Sequence, residues 1–326
     1  MLETIVGALL PAVVTILLGY LAAWHHDFGA KDAPVLNRIV IGYALPLSIF
    51  VGTISTTRDQ LLQNLPFLIV LGVAMVGMYV VVFALCRFAF RNSLGLSAVR
   101  ALAASAPNGP FIGSVVLGHL YGPQSTIPVA ISGVLLYLTV APATVILLSL
   151  HTRTAAPSDA AATSATTSPV APPPATVPRK IVEAFEHPIV WIPILGFVLV
   201  MSGVHVPKLI ASSLAELGHA ATGVALFAAG VILAGYKLTV DRAVLSLTFT
   251  KNIVQPALVL AALVLLNYGE PLRGEAVVMA SLPTVVLVVM LAVQYGVAES
   301  EAASTLFIST LASLVTTAVF IVLTSK

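Results

Sequence analysis

Ten apolar runs of about 20 residues, each bounded by charged or turn-forming residues, constrain the fold of this chain most strongly. A helix needs about 20 apolar residues to cross the hydrocarbon core of a bilayer. Of the 326 residues, 59% are hydrophobic and 9% are charged, whereas roughly a quarter of the residues are charged in a soluble domain. The sequence therefore predicts an all-α membrane protein with ten transmembrane helices. The predicted spans lie near residues 4–24, 34–54, 65–89, 97–118, 125–149, 188–205, 213–235, 243–266, 274–296 and 302–324.

A stretch rich in Ala, Thr, Ser and Pro, residues 151–187, separates the fifth run from the sixth. It lacks the apolar residues that a packed core needs, and its composition is typical of a disordered linker. The linker divides the chain into a first five-helix repeat, residues 1–150, and a second five-helix repeat, residues 188–326. Because each repeat has an odd number of spans, the two repeats are predicted to lie inverted in the membrane.

Lys and Arg are distributed unevenly between the predicted loops. Ten of them follow spans one, three, five and seven, and four lie on the opposite side of the membrane. The positive-inside rule assigns the larger set to the cytoplasm. We therefore expect an inner-membrane protein with both termini outside and the linker in the cytoplasm. The small net charge of +2 is spread along the chain and does not indicate a nucleic-acid partner.

Helix-breaking residues lie near the middle of the fourth and ninth predicted spans. The fourth contains Ala-Ser-Ala-Pro-Asn-Gly-Pro at residues 104–110, and the ninth contains Ala-Ser-Leu-Pro-Thr at residues 280–284. A proline removes a backbone donor and clashes with the carbonyl four residues earlier, so the helix cannot run through regularly. Freed backbone groups cost several kcal/mol each in hydrocarbon unless they face protein or a watery cavity. Interrupted helices at matching positions of two inverted halves indicate a transporter binding site.

The second halves of these two spans would begin near the midplane from opposite sides. Each would present the partial positive charge of a helix N-terminus, which favours an anion, although the carbonyl ends of the first halves partly cancel this field. A plain proline kink is the alternative interpretation, above all in the ninth span. The candidate substrate-binding residues at the two breaks are Asn108, Gly109, Pro110, Pro283 and Thr284.

Lys251 is a sixth candidate because it lies deep in the eighth predicted span. At a rise of about 1.5 Å per residue, it is about 12 Å along the helix from the cytoplasmic end. A lysine at the centre of a span costs at least ~2.5 kcal/mol unless it is paired or hydrated. No acidic residue lies clearly inside a predicted span, so its expected partner is a substrate, a backbone carbonyl or water. Snorkelling of the side chain towards the cytoplasmic headgroups is the alternative.

Motifs for other kinds of chemistry are missing from the sequence. It contains no His-Glu-x-x-His, no Gly-x-Ser-x-Gly, no Walker-type phosphate loop and no cluster of metal ligands. We therefore expect no enzyme activity, no cofactor and no metal. Two further functions stay open at this point: a sodium-coupled organic anion symporter of the bile-acid type, and a membrane ligand sensor that does not transport.

At these residues the chain resembles the auxin efflux carrier family. Asn-Gly-Pro-Phe-Ile-Gly at residues 108–113 resembles the family's Asn-x-Gly/Pro-Phe-x-Gly element. Residues 251–256 are similar to its Lys-x-x-x-x-Pro pattern, and Leu-Pro-Thr at 282–284 looks like its signature in span nine. Family members often have an asparagine a few residues after the span-nine proline, where this chain has Leu287.

The resemblance implies a secondary transporter of efflux-carrier type that moves a small organic anion, such as a mono- or dicarboxylate. It implies crossovers in spans four and nine, and a scaffold part past which a transport part moves in an elevator-like way. By position, Asn108, Pro110 and Pro283 would belong to the crossover and Lys251 to its polar lining. The implied partners are the organic anion and the lipid bilayer, and a homodimer is left open.

Overall fold

The structure, a computed structural model, describes residues 2–28, 32–122, 125–154, 187–204, 206–235 and 238–324. Within these ranges, all regular secondary structure is helical. Most of the predicted linker, residues 155–186, lies outside the described ranges. The linker and the repeat boundaries that depend on it therefore stay predictions.

The described residues form the α-helices α1 to α16. In chain order they are α1 Leu2–Trp24, α2 Ala33–Ile39, α3 Leu45–Ile54, α4 Arg58–Gln63, α5 Leu65–Ala84, α6 Leu94–Ser105, α7 Ser114–Tyr121, α8 Thr126–Leu135, α9 Ala141–Thr154, α10 Pro188–Met201, α11 Lys208–Gly235, α12 Arg242–Phe249, α13 Gln255–Leu265, α14 Leu272–Ser281, α15 Leu287–Tyr295 and α16 Glu299–Thr324.

Several helical segments are suited to a membrane by their length and composition. Five in the described residues are long and apolar enough to cross it: Val35–Ile54, Leu65–Ala89, Thr126–His151, Arg242–Leu265 and Glu299–Thr324. Shorter apolar helices cover Leu10–Trp24, Leu94–Ser105, Pro188–Met201 and Gly223–Gly235. The all-helical, apolar architecture expected from the sequence is therefore present, whereas the division into ten spans stays a prediction.

Widened π-helical turns let several long helices continue past a proline. The proline ring clashes with the carbonyl four residues earlier, and a π-turn locally changes the spacing of the helical hydrogen bonds. Helices therefore run on through these prolines, in contrast to the breaks after α6 and α14. Three such turns each end two residues before the proline: Val40–Ala44 before Pro46, Leu136–Val140 before Pro142, and Thr250–Val254 before Pro256.

The helices pack in two groups, which we name the first and the second group. In the first group, α1 packs along α11, and α10 and α11 both pack on α3, with α2 beside them. In the second group, which comprises α4 to α9 and α12 to α16, α6 packs against α5 and α9, and α14 packs against α13 and α16. The groups meet where α8 contacts α3 and α16 contacts α1. Each group thus combines helices from both sides of the predicted linker.

Two glycines allow α1 and α11 to approach closely within the first group. A Cβ atom at Gly230 would lie 2.0 Å from the carbonyl oxygen of Ile16, and one at Gly19 would lie 2.0 Å from that of Phe227. Small residues at helix contacts are common in membranes, where burial of apolar surface gives little driving force for association. Close backbone packing therefore joins α1 to α11.

Candidate functional site

The two interrupted helices meet at their breaks. After α6 and α14 end, the chain is non-helical over residues 106–108 and 282–286, respectively. Pro107 and Thr284 lie opposite each other in an antiparallel bridge between these two segments. We name the two segments together the crossing. Because the bridge is antiparallel, the chain leaves the crossing in opposite directions towards α7 and α15.

Two backbone hydrogen bonds hold the crossing together. The amide of Asn108 donates to the carbonyl oxygen of Pro283 at 2.9 Å, and the amide of Val285 donates to that of Ala106 at 3.0 Å. Backbone groups that leave the helices near the two prolines therefore pair with each other. This pairing makes interrupted helices tolerable at a depth where unpaired amides and carbonyls are costly.

The side chain of Lys251 caps the C-terminal end of α14. Its ammonium nitrogen Nζ donates to the carbonyl oxygens of Ala280 at 2.7 Å and of Leu282 at 2.9 Å. The side chain is fully buried, so it does not snorkel towards the headgroups. A cation at a helix C-terminus is favoured by the helix dipole and by hydrogen bonds to the last carbonyls. Of the three partners that the sequence left open, the described structure contains the backbone carbonyl.

The side chain of Gln255 caps the C-terminal end of α6 in the same manner. Its side-chain nitrogen Nε2 donates to the carbonyl oxygen of Ser105 at 2.7 Å. Gln255 follows Lys251 by four residues, a spacing that places two side chains on one face of a helix. One helical segment thus provides a side-chain donor to each of the two breaks.

Polar side chains of α16 and of the α12–α13 segment surround Thr284. The hydroxyl of Ser309 donates to Asn252 Oδ1 at 2.7 Å, and Asn252 Nδ2 donates to the Ser309 carbonyl oxygen at 2.8 Å. The amide of Thr284 donates to Ser309 Oγ at 3.0 Å, and its hydroxyl donates to the carbonyl oxygen of Ala103 at 2.8 Å. The polar groups of this part of the crossing are therefore occupied by protein partners.

Ser105 Oγ and Gln255 Oε1 lack hydrogen-bond partners in the described structure, and the third side chain with unpaired polar atoms at the crossing is that of Asn108. The residue is fully buried, and neither Nδ2 nor Oδ1 of its carboxamide has a hydrogen-bond partner within the described residues. Most buried polar groups in proteins are paired, so an unpaired carboxamide at a helix break indicates a place for a ligand or water. A carboxamide can both donate and accept hydrogen bonds.

A cavity of about 560 Å³ lies between the two groups and reaches the first break at Pro110. We name it the first cavity. Its polar lining includes Thr53, Gln60, Ser114 and Tyr137, and none of its lining residues in the described ranges is charged. This volume is in the range of small-molecule sites. No group of three or more His, Cys, Asp or Glu residues in the described part of the chain could hold a metal ion.

The structure places the six sequence-predicted site residues in different roles. The side chains of Lys251 and Thr284 are hydrogen-bonded to backbone carbonyls, and Pro283 accepts a backbone hydrogen bond. Pro110 lines the first cavity, and Asn108 has the unpaired carboxamide. Pro110 thus borders a cavity, and the fully buried Asn108 has a side chain that no protein partner occupies in the described structure.

Gly109, the sixth residue, is tightly packed. A Cβ atom there would lie 2.3 Å from Ser132 Oγ and 2.8 Å from Met279 Sδ. Because a larger side chain would collide with both neighbours, the glycine allows the first break to lie close to α8 and α14.

Three further polar residues at the site, Gln255, Ser309 and Tyr137, are not among those that the sequence predicts. Gln255 could have been found from its spacing of four residues after Lys251, on the same helical face. Ser309 and Tyr137 lie in largely apolar runs that hold other hydroxyl residues, and no local pattern distinguishes them from packing residues.

An ion pair connects α6, the helix that precedes the first break, with the start of α16. Arg100 forms two hydrogen bonds to Glu301, with Nε to Oε1 and Nη2 to Oε2 both at 2.7 Å. The side chains are 19% and 15% exposed, whereas the pair between Arg273 and Glu270 is 26% and 43% exposed. The Arg100 pair is thus the more deeply placed and has the bidentate geometry that makes such pairs strong.

Arg100→Met is expected to lower the free energy of unfolding by about 3 kcal/mol, because it leaves the largely buried Glu301 carboxylate without its cation. The double variant with Glu301→Met should recover most of this loss. Arg273→Met, the matched control at the more exposed pair, should cost less than about 1 kcal/mol. Unfolding of the purified variants in detergent measures all three changes, and equal losses for the two single variants would contradict the assignment.

Membrane-length apolar helices, together with two interrupted helices that pair at their breaks, are typical of a multi-pass membrane transporter. The sequence profile described as "Membrane transport protein" matches residues 4–321, so the chain belongs to this family. The resemblance to the auxin efflux carriers is thereby confirmed.

Relatives with similar sequences cover nearly the whole chain. A protein of Escherichia coli (strain K12) named "Uncharacterized transporter YfdV" is 28% identical over 98% of both chains. A protein of Rhizobium meliloti (strain 1021) named "Putative malonate transporter" is 28% identical over 96% of this chain and 93% of its own length. Both relatives are named as transporters.

Proposed function

We propose that the protein is a secondary transporter that moves a small organic anion, such as a mono- or dicarboxylate, across the inner membrane. The second group would move past the first in an elevator-like way and carry the anion at the crossing. Ten spans in two inverted five-helix repeats, residues 1–150 and 188–326, would form the framework. The cavity at the interface of the two groups supports this arrangement, because it borders the first break.

The unpaired carboxamide of Asn108 carries the proposal. Its Nδ2 group could donate a hydrogen bond to a carboxylate at the break. The carbonyl ends of α6 and α14 already accept hydrogen bonds from Gln255 and Lys251. Without these donors, the negative field of the carbonyl ends would partly cancel the positive field at the N-termini of the following helices. The two side-chain donors reduce this negative field. The remaining field favours an anion.

The six candidate residues divide into two proposed roles. Asn108 and Pro110 would contact the anion, because the former has a free carboxamide and the latter lines the first cavity. The other four, Gly109, Pro283, Thr284 and Lys251, would maintain the geometry of the crossing around the anion. Malonate is the first substrate to test, since the relative of Rhizobium meliloti is named "Putative malonate transporter".

The proposed orientation follows the distribution of Lys and Arg. Both termini would lie outside, and the linker at residues 151–187 would lie in the cytoplasm. A homodimer is compatible with this arrangement.

A sodium-coupled symporter would need oxygen ligands for its cation near the crossing. Two carbonyl oxygens there, those of Ala280 and Leu282, already accept hydrogen bonds from the Lys251 ammonium. A resident ammonium would repel a second cation at short range. We therefore place the sodium-independent carrier ahead of the symporter.

Reconstituted protein is expected to exchange labelled external malonate for unlabelled malonate inside liposomes, with a rate that saturates. Protein-free liposomes and a neutral sugar serve as controls. Uptake that requires a sodium gradient would instead support the symporter. Malonate that raises the thermal stability of the protein without any exchange would support the sensor. A protein that exchanges none of the mono- and dicarboxylates tested would contradict the proposal.

A further inference from the structure

A second cavity, of about 440 Å³, lies at another part of the interface between the two groups. We name it the second cavity. On the side of the first group it is lined by Asn37, Arg38 and Gly42 and by His187, which directly precedes α10. On the side of the second group it is lined by Gln294 of α15. Like the first cavity, it lies between surfaces that would move relative to each other in an elevator.

The two cavities lie on opposite sides of the crossing. The first cavity contacts Pro110, directly after the first break, and the second contacts Gln294, after the second break. At about 1.5 Å per residue, Gln294 is about 10 Å along α15 from its start. Because the chain leaves the antiparallel crossing in opposite directions, the two cavities extend to different ends of the helices.

The second cavity has unpaired polar groups. Asn37 is 4% exposed and donates through Nδ2 to the Met290 carbonyl oxygen at 3.0 Å, while its Oδ1 has no partner in the described part of the chain. Gln294 Nε2 lies 2.9 Å from His187 Nε2. A carboxamide nitrogen can only donate, so the histidine accepts at Nε2 and a neutral ring carries its proton on Nδ1. His187 Nδ1 is buried and likewise has no partner among the described residues.

Arg38 adds a positive charge that the first cavity does not have. It lies in the last turn of α2, its side chain is exposed, and it lines the second cavity. A guanidinium and an imidazole N–H from residues that line the same cavity form a donor set that suits a carboxylate. A positive charge in a cleft also raises the local concentration of anions.

We propose that the second cavity is a carboxylate-binding subsite, in which Arg38 and His187 Nδ1 bind the organic anion on the cytoplasmic side of the crossing. This inference rests on the proposed carrier function and its orientation, which places Arg38 in the cytoplasm. The anion passes between this charged subsite and the neutral first cavity by way of Asn108. Asn37 Oδ1 accepts a hydrogen bond from a water or from a protonated carboxyl group of the ligand.

Cysteine labelling tests the subsite without requiring transport. Cys86 is the single cysteine of the chain, so Cys86→Ser provides a cysteine-free background. Gly42→Cys then introduces a thiol in the second cavity, and Gly52→Cys introduces one in the first cavity as a matched control. Both glycines have open space where a Cβ atom would lie. The probes are methanethiosulfonate reagents with an anionic sulfonate or a cationic trimethylammonium group, and their rates are normalised to those with a free thiol.

At Gly42→Cys, the anionic reagent is expected to react about fivefold faster than the cationic reagent, because a full positive charge lies close to the thiol. Arg38→Gln should remove this preference, Arg38→Lys should retain it, and malonate should slow labelling only when the positive charge is present. At Gly52→Cys, the two reagents should react at similar rates.

Equal rates at Gly42→Cys, or a preference that survives Arg38→Gln, would overturn the inference. Absence of reaction with both reagents would also overturn it, because the cavity would then be closed to ions. If Gly42→Cys fails to fold, Val293→Cys in the opposite wall takes its place. A charge preference and malonate protection in a protein that exchanges no carboxylate would uphold the anion subsite and contradict the carrier function alone.

Discussion

Replacing Asn108 with alanine is expected to reduce kcat/KM for malonate exchange at least tenfold while leaving the stability of the protein unchanged or slightly higher. A hydrogen bond to a charged group contributes about 1.5–3 kcal/mol, and about 1.4 kcal/mol corresponds to a factor of ten. The stability is expected to hold because the carboxamide has no partner within the described residues. Removing an unpaired buried polar group relieves a cost and does not break a bond.

Asn252→Ala is the matched control for Asn108→Ala. Asn252 is also buried near the crossing, but both ends of its carboxamide are hydrogen-bonded to Ser309. Its removal should lower the free energy of unfolding by about 1–3 kcal/mol, because Ser309 loses the two hydrogen bonds that it forms with Asn252. Exchange kinetics in liposomes and unfolding in detergent distinguish the two variants. Normal kinetics for Asn108→Ala, or a loss of stability as large as that of Asn252→Ala, would refute the assignment of Asn108 to the substrate.

The two breaks could be located from the sequence because the chemistry that causes them is local. A proline lacks the backbone donor wherever it occurs, and Pro107 and Pro283 lie in apolar runs long enough to span a membrane. The same rule does not separate a break from a kink. Pro46, Pro142 and Pro256 also lie in long apolar runs, and the helices continue there through π-turns.

The partners of the breaks could not be predicted, because they come from distant parts of the chain. Lys251 contacts carbonyls 29 and 31 residues away, and Gln255 contacts one 150 residues away. Local spacing shows that a polar turn exists in the eighth span, but it does not show which carbonyl that turn meets. The sequence consequently left a substrate, a carbonyl and water as candidates for the partner of Lys251.

The two packing groups and their cavities also depend on long-range contacts. Asn37 reaches the backbone of Met290, 253 residues later, and so connects the first group with α15. The sequence predicts two repeats that follow one another, whereas each packing group takes helices from both. Cavities between the groups therefore have no signature in any single stretch of residues, and Arg38 and Tyr137 could not be assigned to them in advance.

Replacing Lys251 with methionine is expected to lower the free energy of unfolding by about 3–6 kcal/mol and to abolish malonate exchange. Two effects oppose each other in this variant. Removing a buried ammonium relieves a desolvation cost of at least ~2.5 kcal/mol, whereas the gross attraction between the ammonium and two carbonyls is lost. Measured net values for hydrogen bonds to charged groups, about 1.5–3 kcal/mol each, already include desolvation. The loss of two such bonds, to Ala280 and Leu282, should therefore dominate.

Gln255→Leu is the matched control, because it removes one neutral donor from the other break and leaves the charge in place. It should lower the free energy of unfolding by about 1 kcal/mol. Lys251→Arg should retain part of the stability, since a guanidinium can also donate to carbonyl oxygens. The variants are compared by unfolding in detergent and by malonate exchange in liposomes. If Lys251→Met kept its stability and only raised the KM for malonate, the ammonium would serve the substrate and not the carbonyl end of α14.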